Sequence, residues 1–487
     1  MKINTLLKKL TYIEVTGSVE KSFYHITLDS RQANEKSIFV AIRGFKTDGH
    51  KFIEKAIDNG CKIVVHTDSV KKIEGVTYIK VLDSRIALAE ISNIFYDNPS
   101  KDMKVVAVTG TNGKTTTTFI LEHILRKNNR RVASLGTVGL KTEEGINYLG
   151  KTTPESKDLQ EIFSDLKKKS YEAMVMEVSS HALELKRVHG VQFDYAAFTN
   201  LTYEHMELHG TMENYYQAKK KLFLMTNKQN FINIDDEYGK RLYKELKEDF
   251  IPAISYGMNG ESEINGKILS MDLNSSTFLY EEEGISEELK IPIAGEYNIY
   301  NAICAVAIAV RMGVNIKDIK NSLKTFKKPE GRYEVVDNDK GLNLIIDFAH
   351  TSDGMESIIK SAKKNFQKNT IVVFGVTGAR TPQMQEEIGR VVGEVSDYSI
   401  ITMDDEVDMP IGEISKNIIK GMKKSNGKFE YIENREKAIE KAIEIATKDD
   451  VVLFLGKGNE KFFKKLDGTK TEYDERKAVE KALLNKK

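Results

Sequence analysis

A chain of 487 residues is too long for one ordinary hydrophobic core, and about one domain per 150 residues predicts three domains. Its 73 Lys and Arg residues nearly balance its 72 Asp and Glu residues, and the net charge of +1 excludes a strongly basic, nucleic-acid-binding surface. The apolar runs fall well short of the roughly 20 residues of a membrane span, and the first residues lack the apolar stretch of a signal peptide. We therefore expect a cytoplasmic protein with no nucleic-acid partner and no membrane span.

The cysteine content excludes a disulfide-stabilised fold. Two cysteines, Cys61 and Cys304, are too few for a disulfide framework or a cysteine metal site. Both lie in apolar sequence, which predicts that both are core residues.

Residues 1–100 predict a small N-terminal α/β domain. Apolar runs at 37–42 and 61–66 predict strands, and the helical pattern between them ends at Gly60, a residue suited to a helix C-terminus. The polar segment 96–102 predicts the boundary to the next domain.

Residues 101–330 predict a central domain built on a mostly parallel sheet. The apolar run at 104–109 leads through a glycine-bearing turn into an amphipathic helix. Further buried strands, separated by helical patterns, are predicted at 173–179, 195–200 and 230–235. Short alternating runs between 251 and 292 predict antiparallel strands appended to this sheet.

Residues 331–487, which begin within the polar segment 327–334, predict a doubly wound, Rossmann-like C-terminal domain. Five apolar runs are each followed by a helical pattern, as parallel strands with helical crossovers require: LNLIIDF, TIVVFGV, YSIITM, KFEYI and VVLFLG. Ligands bind such a sheet at the carboxyl ends of its strands, where DFAHTSD, GVTGAR, MDDEVD and GKGNE lie. The fold class predicted for the whole chain is α/β.

The segment VVAVTGTNGKTTTT, residues 105–118, carries the clearest chemical signal. Backbone N–H groups of a glycine-rich turn and a helix N-terminus can cradle phosphates, while Lys114 would neutralise their charge and Thr115 would reach Mg²⁺. The strict phosphate-loop pattern has glycine where this chain has Val108. The strand before the turn and the helix after it favour a nucleoside-triphosphate site over an ordinary turn.

The form TGTNGKTTT is the one found in Mur ligases, and further segments match that family in chain order. They are DSR (29–31), FVAIRGFKTDGHKF (39–52), TTPE (152–155), EVSSHALELKRV (177–188), TNLTYEHMELHGTMENYYQAKKKLF (199–223), GEYNIYNA (295–302), GRYE (331–334), DFAHTSD (347–353) and GKGNE (456–460). The chain thus resembles the Mur ligases over all three predicted domains, and among them the UDP-N-acetylmuramoyl-tripeptide synthetases, or MurE-type enzymes.

This resemblance implies the three-domain Mur ligase architecture, with a central P-loop ATPase sheet. It also implies an ATP-dependent ligase that adds the third amino acid to UDP-MurNAc-L-Ala-D-Glu through an acyl phosphate, in peptidoglycan synthesis. The implied cofactors are ATP and Mg²⁺, and the implied partners are the UDP-MurNAc-dipeptide and a free amino acid. We expect a monomer.

The resemblance implies an ATP site shared by the central and C-terminal domains. Its residues are Gly110, Thr111, Asn112, Gly113, Lys114, Thr115, Thr116, Asn298, Asn301, Arg332, Asp347 and His350. The implied catalytic residues are Lys114, Glu177, His205, Lys219 and Arg332. Because Arg332 lies at a predicted domain boundary, we expect it to close onto the γ-phosphate when the C-terminal domain swings in.

Two magnesium ions are implied, one held by Thr115 and Glu177 and one to which His205 contributes. Glu177 ends a buried strand, where an unpaired carboxylate would be costly, and a metal would explain its presence. Spacing alone would leave His205 as a hydrogen-bonded surface histidine. His205 and His209 would share a helix face as zinc ligands do, but Met206 stands where the metalloprotease pattern requires glutamate, so we exclude a protease.

Lys219 matches the lysine that the family carries as a carbamate formed with CO₂. This modification would turn a cation into an anion that can bridge to Mg²⁺ at the γ-phosphate. A run of lysines on a solvated helix face would explain Lys220, but the register with Leu222 and Phe223 turns Lys219 the other way.

The implied UDP-sugar site contains Ser30, Thr152, Thr153, Ser180 and Arg187. Asp29 and Arg31 flank Ser30, and they either belong to this site or form a structural ion pair.

The amino-acid site departs from the family pattern. Members that add meso-diaminopimelate carry a DNPR motif whose arginine binds the distal carboxylate, and Val407 stands at or near that arginine. An aliphatic side chain cannot pair with a carboxylate, whereas Asp404, Asp405, Glu406 and Asp408 would favour a side-chain ammonium. We therefore expect lysine, ornithine or another diamine rather than diaminopimelate.

The remaining acceptor residues match the family less closely. Arg380 and Glu460 match residues that hold the carboxylate and amino groups of the amino acid, and Asp404, Asp405 and Gly456 complete the implied site. Ala379, Thr381 and the missing KRP depart from the usual GDRDxxKRP form, and Asn459 replaces a histidine.

Two alternatives remain open. A folylpolyglutamate synthase shares the ATPase architecture, but it lacks a UDP-binding first domain and usually has serine where this chain has Thr115. A non-catalytic nucleotide-binding regulator derived from a ligase is the other, and the presence of Lys114, Glu177, His205 and Lys219 argues against it.

Overall fold

The apolar runs of the sequence form strands that assemble into three successive sheets. The computed structural model describes residues 1–44, 47–365 and 368–486, and it contains sheets of five, eleven and six strands and one two-stranded hairpin. Phe45 and Lys46, within the family-matched segment 39–52, and Lys487 lie outside the described residues. No helix in the described part of the chain combines the length and the apolar character that crossing a bilayer requires.

The N-terminal sheet consists of β1 (Glu14–Thr16), β2 (His25–Thr27), β3 (Ser37–Val40), β4 (Ile63–His66) and β5 (Thr77–Lys80), in the order β1-β5-β4-β3-β2. All neighbours are parallel except β1 and β5. Three helices accompany it: α1 (Ile3–Leu7), α2 (Ile53–Asp58) and α3 (Ser84–Phe95). Asp83 caps the N-terminus of α3, where its carboxylate accepts the N–H groups of Arg85 and Ile86.

The central sheet has eleven strands: β6 (Lys104–Thr109), β7 (Val132–Gly136), β8 (Gly139–Thr142), β9 (Gly145–Asn147), β10 (Ala173–Glu177), β11 (Phe193–Phe198), β12 (Thr226–Asn233), β13 (Ala253–Gly257), β14 (Ile264–Met271), β15 (Ser276–Glu282) and β16 (Ile285–Ile291). Their order is β16-β15-β14-β13-β12-β11-β6-β10-β7-β8-β9. Its helices are α4 (Lys114–Lys127), α5 (Ser156–Lys168), α6 (Ser180–Glu184), α7 (Met206–His209), α8 (Met212–Phe223), α9 (Glu237–Glu248), α10 (Glu296–Arg311) and α11 (Ile316–Leu323).

The parallel centre of this sheet confirms the sequence prediction, while its two edges differ from it. Seven neighbouring strands, in the order β14-β13-β12-β11-β6-β10-β7, run parallel to one another. The antiparallel region is shorter than the predicted 251–292, because β13 and β14 still run parallel, and the antiparallel pairs of this segment are β14 with β15 and β15 with β16. The antiparallel strands β8 and β9 at the other edge were not predicted, since both are short and partly exposed.

Strand β6 shows why a continuous apolar run forms the middle of this sheet. Val106 and Val108 pack into the core shared with α4 and α10, whereas Val105 and Ala107 pack into the core on the opposite face. Because a strand covered on both faces buries all its side chains, alternation is lost from the sequence.

The C-terminal sheet consists of β17 (Glu334–Val335), β18 (Asn343–Asp347), β19 (Thr370–Phe374), β20 (Tyr398–Ile401), β21 (Phe429–Tyr431) and β22 (Val451–Leu455), in the order β17-β18-β22-β19-β20-β21. The hairpin β23 (Phe462–Lys464) and β24 (Lys470–Glu472) follows. The helices of this part are α12 (Ser352–Asn365), α13 (Pro382–Val395), α14 (Ile411–Lys424), α15 (Arg435–Ile445) and α16 (Glu475–Asn485).

The doubly wound arrangement predicted for this part is confirmed. The five predicted strands are parallel, and the short β17 is antiparallel at one edge. Residues of α12 to α14 pack in one core and residues of α15 and α16 in another, on opposite faces of the sheet. Cys61 and Cys304 are buried free thiols, as predicted.

Candidate active site

The turn between β6 and α4 has the form of an anion cradle. Gly113 precedes α4 with a φ of +86°, and a Cβ on it would lie 2.3 Å from Oδ1 of Asn301, so both conformation and space favour glycine. No side chain of the described residues caps α4, which leaves the first N–H groups of the helix available to an anion. Val108 lies within β6 and packs in the core, which explains how the cradle forms without a glycine there.

Two lysines lie beneath this turn and share one acceptor. Lys114 and Lys219 each donate to the carbonyl oxygen of Gly110 at 2.9 Å. Lys219, on α8, is only 1 % exposed, as the helical register predicts, whereas Lys220 pairs with Glu245 on α9. Burial, together with the charge of Lys114, lowers the pKa of Lys219 well below its usual range. The amine of Lys219 is therefore biased towards its neutral form.

Glu177 ends β10 beside the start of α4. Its Oε1 accepts the hydroxyl of Thr115 at 2.8 Å and the N–H of Thr137 at 3.0 Å, and its Oε2 accepts the hydroxyl of Thr137 at 3.1 Å. The carboxylate is therefore not unpaired, because three hydrogen bonds satisfy it, and the role of Glu177 as a metal ligand stays a prediction. The pair still fits Mg²⁺, since a hydroxyl and a carboxylate are hard oxygen ligands and their spacing suits adjacent octahedral positions.

His205 precedes α7 in the left-handed backbone conformation, with a φ of +59°. Its Nδ1 lies 3.3 Å from Glu207 and its Nε2 lies 3.5 Å from Glu204. Tyr215 lies near both this histidine and the buried lysine. Its ring centroid is 5.9 Å from that of the His205 ring and 4.8 Å from Nζ of Lys219. His205 and Lys219 therefore both lie close to the ring of Tyr215.

Of the two other histidines beside His205, His209 is buried and His181 is half-buried. His209 contacts the hydroxyl of Ser180 at 3.0 Å, and the His181 ring lies 4.8 Å from that of His205. Burial lowers the pKa of His181 and of His209 to about 4. His205 and His209 do not form a shared zinc face, since the first precedes the helix and the second points towards α6.

A cavity of about 280 Å³ lies between the glycine turn, α10 and the C-terminal domain. Asn301 accepts the hydroxyl of Thr117 and donates to Asn298, which in turn donates to the carbonyl of Ala294. The cavity is also lined by Asn112, Gly113, Thr116, Tyr297, Tyr300, Arg332 and Asp347. The aromatic and amide side chains of α10 give it the character of a pocket for a flat, polar ring.

Arg332 and Asp347 bring the C-terminal domain to the glycine turn. Nη2 of Arg332 is 3.5 Å from the hydroxyl of Thr115, and its guanidinium stacks 4.3 Å from the centroid of Phe348. Asp347 accepts the N–H groups of Tyr333 and Ala349, and burial raises its pKa.

A second cavity, of about 420 Å³, opens on the other side of the turn. Cationic side chains outnumber carboxylates among its lining residues: Lys114, Lys151, Arg187, Arg332 and Arg380, against Glu177 and Glu204. It is also lined by Thr111, Asn112, Gly113, Thr115, Thr116, Thr152, Thr153, His181, His205 and His350. This cavity can hold a large anion next to the phosphate cradle.

The residues expected to bind a UDP-sugar divide into two groups. Thr152 bonds to Thr137, Thr153 donates to the carbonyl of Glu177, and Arg187 donates to the carbonyl of Thr153. Ser180 lies beneath this group and contacts His209 rather than the cavity.

Ser30 lies apart from them, in the N-terminal domain, where its carbonyl accepts the amide of Asn59. Beside it, Arg31 forms a two-point ion pair with Asp29, and this bonding lowers the pKa of Asp29 to about 2. The structure thus favours the ion-pair interpretation of Asp29 and Arg31.

The residues predicted to bind the incoming amino acid also lie in two separate places. Arg380 lines the second cavity, whereas Asp404, Asp405, Gly456 and Glu460 lie around Lys457. The ammonium of this fully buried lysine lies 2.9 Å from both Asp405 and Glu460 and 3.5 Å from Asp404. Burial opposes its charge, but the carboxylates of Asp404, Glu460 and Asp405 raise its pKa. The acidic region is thus largely neutralised by the chain's own lysine, a partner that sequence reasoning missed.

Sequence reasoning also missed Glu204, directly before His205. Its carboxylate is buried and meets Arg380 and His350 of the C-terminal domain. Burial opposes ionisation, but His205, His350 and Arg380 lower the pKa of Glu204 well below its usual range. The only signal in the sequence was a carboxylate beside a candidate metal ligand.

Together, the fold and these cavities define a nucleotide-binding protein with an anion site next to its phosphate cradle. Three family models match the chain: Mur ligase family, catalytic domain, at residues 22–96; Mur ligase middle domain at 108–309; and Mur ligase, glutamate ligase domain, at 331–458. The chain belongs to the Mur ligase family, and it is an ATP-dependent ligase.

Curated relatives match over nearly the full length. The UDP-N-acetylmuramoyl-L-alanyl-D-glutamate–2,6-diaminopimelate ligase 1 of Clostridium acetobutylicum is 37 % identical over 98 % of each chain. The corresponding ligase of Clostridium tetani is 36 % identical over 99 % of each chain. These names do not support the expectation that diaminopimelate is excluded.

Solved structures share the fold of this chain. A UDP-N-acetylmuramoyl-L-alanyl-D-glutamate–2,6-diaminopimelate ligase superposes with a TM-score of 0.70 at 25 % identity, covering 100 % of this chain and 99 % of the other. A folylpolyglutamate synthase of Mycobacterium tuberculosis shares the fold with a TM-score of 0.61 at 15 % identity, covering 77 % of this chain and 92 % of the other.

Proposed function

We propose that the chain joins a diamino acid to UDP-MurNAc-L-Ala-D-Glu, as the third residue of a peptidoglycan precursor peptide, at the expense of ATP. The observation that carries this proposal is the cationic cavity of about 420 Å³, which adjoins the phosphate cradle and includes Thr152, Thr153 and Arg187. A carboxylate substrate held there would lie beside the terminal phosphate of a nucleotide.

In this proposal the terminal carboxylate of the dipeptide attacks the γ-phosphorus of ATP, and ADP leaves. The amine of the incoming amino acid then attacks the acyl carbon, an amide bond forms, and inorganic phosphate and a proton leave. Lys114 and Arg332, both beside the cradle, would stabilise the negative charge that shifts during phosphoryl transfer. Asn298, Asn301 and Asp347 would position the base and ribose in the cavity of about 280 Å³.

Thr115 and Glu177 are the residues that would hold Mg²⁺, and His205 would contribute to a second ion. When bound, such ions supply charge neutralisation at the phosphate oxygens. Glu177 would exchange its hydrogen bond from Thr115 for the metal, while its bonds from Thr137 would keep the carboxylate oriented.

We propose that Lys219 is carbamylated. Carbamate formation needs the neutral amine, whose nitrogen bonds to the carbon of CO₂ and loses a proton. Burial and the nearby charge of Lys114 lower the pKa of Lys219, which favours that neutral amine. The product would be an anion beside Lys114, and the opposite charges of the two groups would attract each other.

The acceptor is proposed to be an amino acid with a second amino group. Arg380 would bind its carboxylate, and Glu460, which is the most exposed carboxylate of the Lys457 cluster, would meet its ammonium. The relatives' names favour diaminopimelate, whereas Val407, half-buried with a φ of +50°, offers no charge to a distal carboxylate and favours lysine.

Phosphate release from ATP tests the proposal. We expect release only when the UDP-MurNAc-dipeptide and an amino acid are both present, with diaminopimelate and lysine competing directly as acceptors. Lys114→Ala serves as the inactive control. Absence of release with every amine would overturn the proposal, and stimulation by folate with glutamate would indicate the folylpolyglutamate activity instead.

A further inference from the structure

The interface between the central and C-terminal domains contains one buried carboxylate that serves residues of both. Glu204 lies in the loop between β11 and α7 and is 3 % exposed. Its Oε1 accepts from Nη2 of Arg380 and lies 3.3 Å from Nε2 of His350, while its Oε2 lies 3.5 Å from His205. Three basic side chains therefore converge on a single carboxylate.

Arg380 lies in the C-terminal domain, whereas its ionic partner, Glu204, lies in the central domain. The Arg380 side chain is nearly buried, lies in the loop after β19, and lines the cationic cavity. A guanidinium binds a carboxylate through its in-plane N–H groups, and one of these donors, Nη2, now contacts Glu204. One site on Arg380 thus suits two carboxylates, one internal and one from the ligand.

We infer that Glu204 is an internal stand-in for the acceptor's carboxylate, which holds Arg380 between turnovers and is displaced when the amino acid binds. The inference rests on the proposed role of Arg380 in the acceptor site. Displacement would not leave Glu204 as an unpaired buried charge, because His205 and His350 stay within reach. The amino acid therefore has to break the ion pair between Arg380 and Glu204 in order to bind. This requirement weakens the apparent affinity for the amino acid and makes the site selective for a ligand with a carboxylate.

Glu204→Gln tests this exchange, because it removes the charge while retaining the shape. We expect the KM for the amino acid to fall by roughly tenfold, the value of one charge-assisted hydrogen bond, with KM for ATP unchanged. Glu296→Gln is the matched control, since Glu296 pairs with Lys364 across the same two domains at an exposed position. This control should leave the KM for the amino acid unchanged. An unchanged or raised acceptor KM in Glu204→Gln would overturn the inference.

Glu204→Gly gives an independent readout, because it leaves a space of carboxylate size next to Arg380. Acetate should enter this space and inhibit competitively against the amino acid in Glu204→Gly, but not in the unsubstituted protein. Absence of such inhibition in a folded variant would contradict the exchange.

Arg380→Gln separates this inference from the proposed function. If the acceptor KM rises in Arg380→Gln but does not fall in Glu204→Gln, the ligase activity stands and the exchange is wrong. If no amino acid supports phosphate release in the unsubstituted protein, the proposed function itself fails.

Discussion

The phosphate cradle and the acceptor region differ in how their charges are balanced. In the cradle, Lys114 and Lys219 donate hydrogen bonds to backbone and hydroxyl oxygens, and among the described residues neither forms an ion pair and no side chain caps α4. In the acceptor region, Lys457 and Arg380 are each paired with carboxylates of the chain. The first region thus attracts an anion directly, whereas the second must exchange an internal partner for its ligand.

The largest effect is expected at Lys219, which has no carboxylate partner in the described part of the chain. Lys219→Ala should lower kcat by roughly 10³-fold, because it removes the proposed carbamate from a site of charge stabilisation. Short carboxylates such as acetate or propionate should restore part of the activity, as measured by phosphate release. Full activity of the plain variant would remove the carbamate from the mechanism.

Lys457 tests the paired region through stability. Lys457→Met should destabilise the protein by about 3–5 kcal/mol, since it leaves Asp404 and Asp405 buried without their counter-charge. Denaturant unfolding measures this difference. Lys464→Met is the control, because Lys464 also approaches Asp405 but is 43 % exposed, and it should change stability by less than about 1 kcal/mol. Equal effects of the two variants would show that the buried cluster is not held by Lys457.

Val407 tests which diamino acid the paired region accepts. Val407→Arg should raise the KM for lysine severalfold and lower that for diaminopimelate, because it adds a cation suited to a distal carboxylate. Competition between the two amino acids in one reaction measures the ratio. Unchanged selectivity would show that the distal group of the acceptor lies elsewhere.

The smallest effect concerns pH and the buried histidines of the central domain. Because His209 has a pKa of about 4 when folded and roughly 6.5 when unfolded, only the unfolded state gains its proton between these values. Its contribution to stability is complete above pH of about 6.5 and is lost as the pH falls towards 4. His209→Gln should therefore flatten the loss of stability over this range in denaturant titrations. An identical pH profile would assign the loss to other groups.

The sequence predicted the fold better than it predicted the site. Continuous apolar runs such as β6 and β22 identify buried parallel strands directly, since their burial on both faces leaves a compositional trace. The cradle residues were also predictable, because they lie within one turn of the chain.

The acceptor region was less predictable because its contacts join distant segments. Lys457 lies about 50 positions from Asp404 and Asp405, and Glu204 lies 176 positions from Arg380. A local acidic run in the sequence predicts a site for a cationic ligand. The sequence does not show that the buried Lys457 already pairs with these carboxylates. Likewise, the hydrogen bonds of Thr137 to Glu177 depend on β7 and β10 being neighbours, which spacing does not reveal.

Gly136, at the end of β7, has no space for a larger side chain. A Cβ on Gly136 would lie 2.0 Å from Oε1 of Glu177, the oxygen that faces Thr115. Even alanine there would push the carboxylate away from the proposed magnesium position while leaving every proposed ligand in the sequence. A variant library screened only at the ligands would therefore overlook a position that has no functional group of its own and still governs whether the ion can bind.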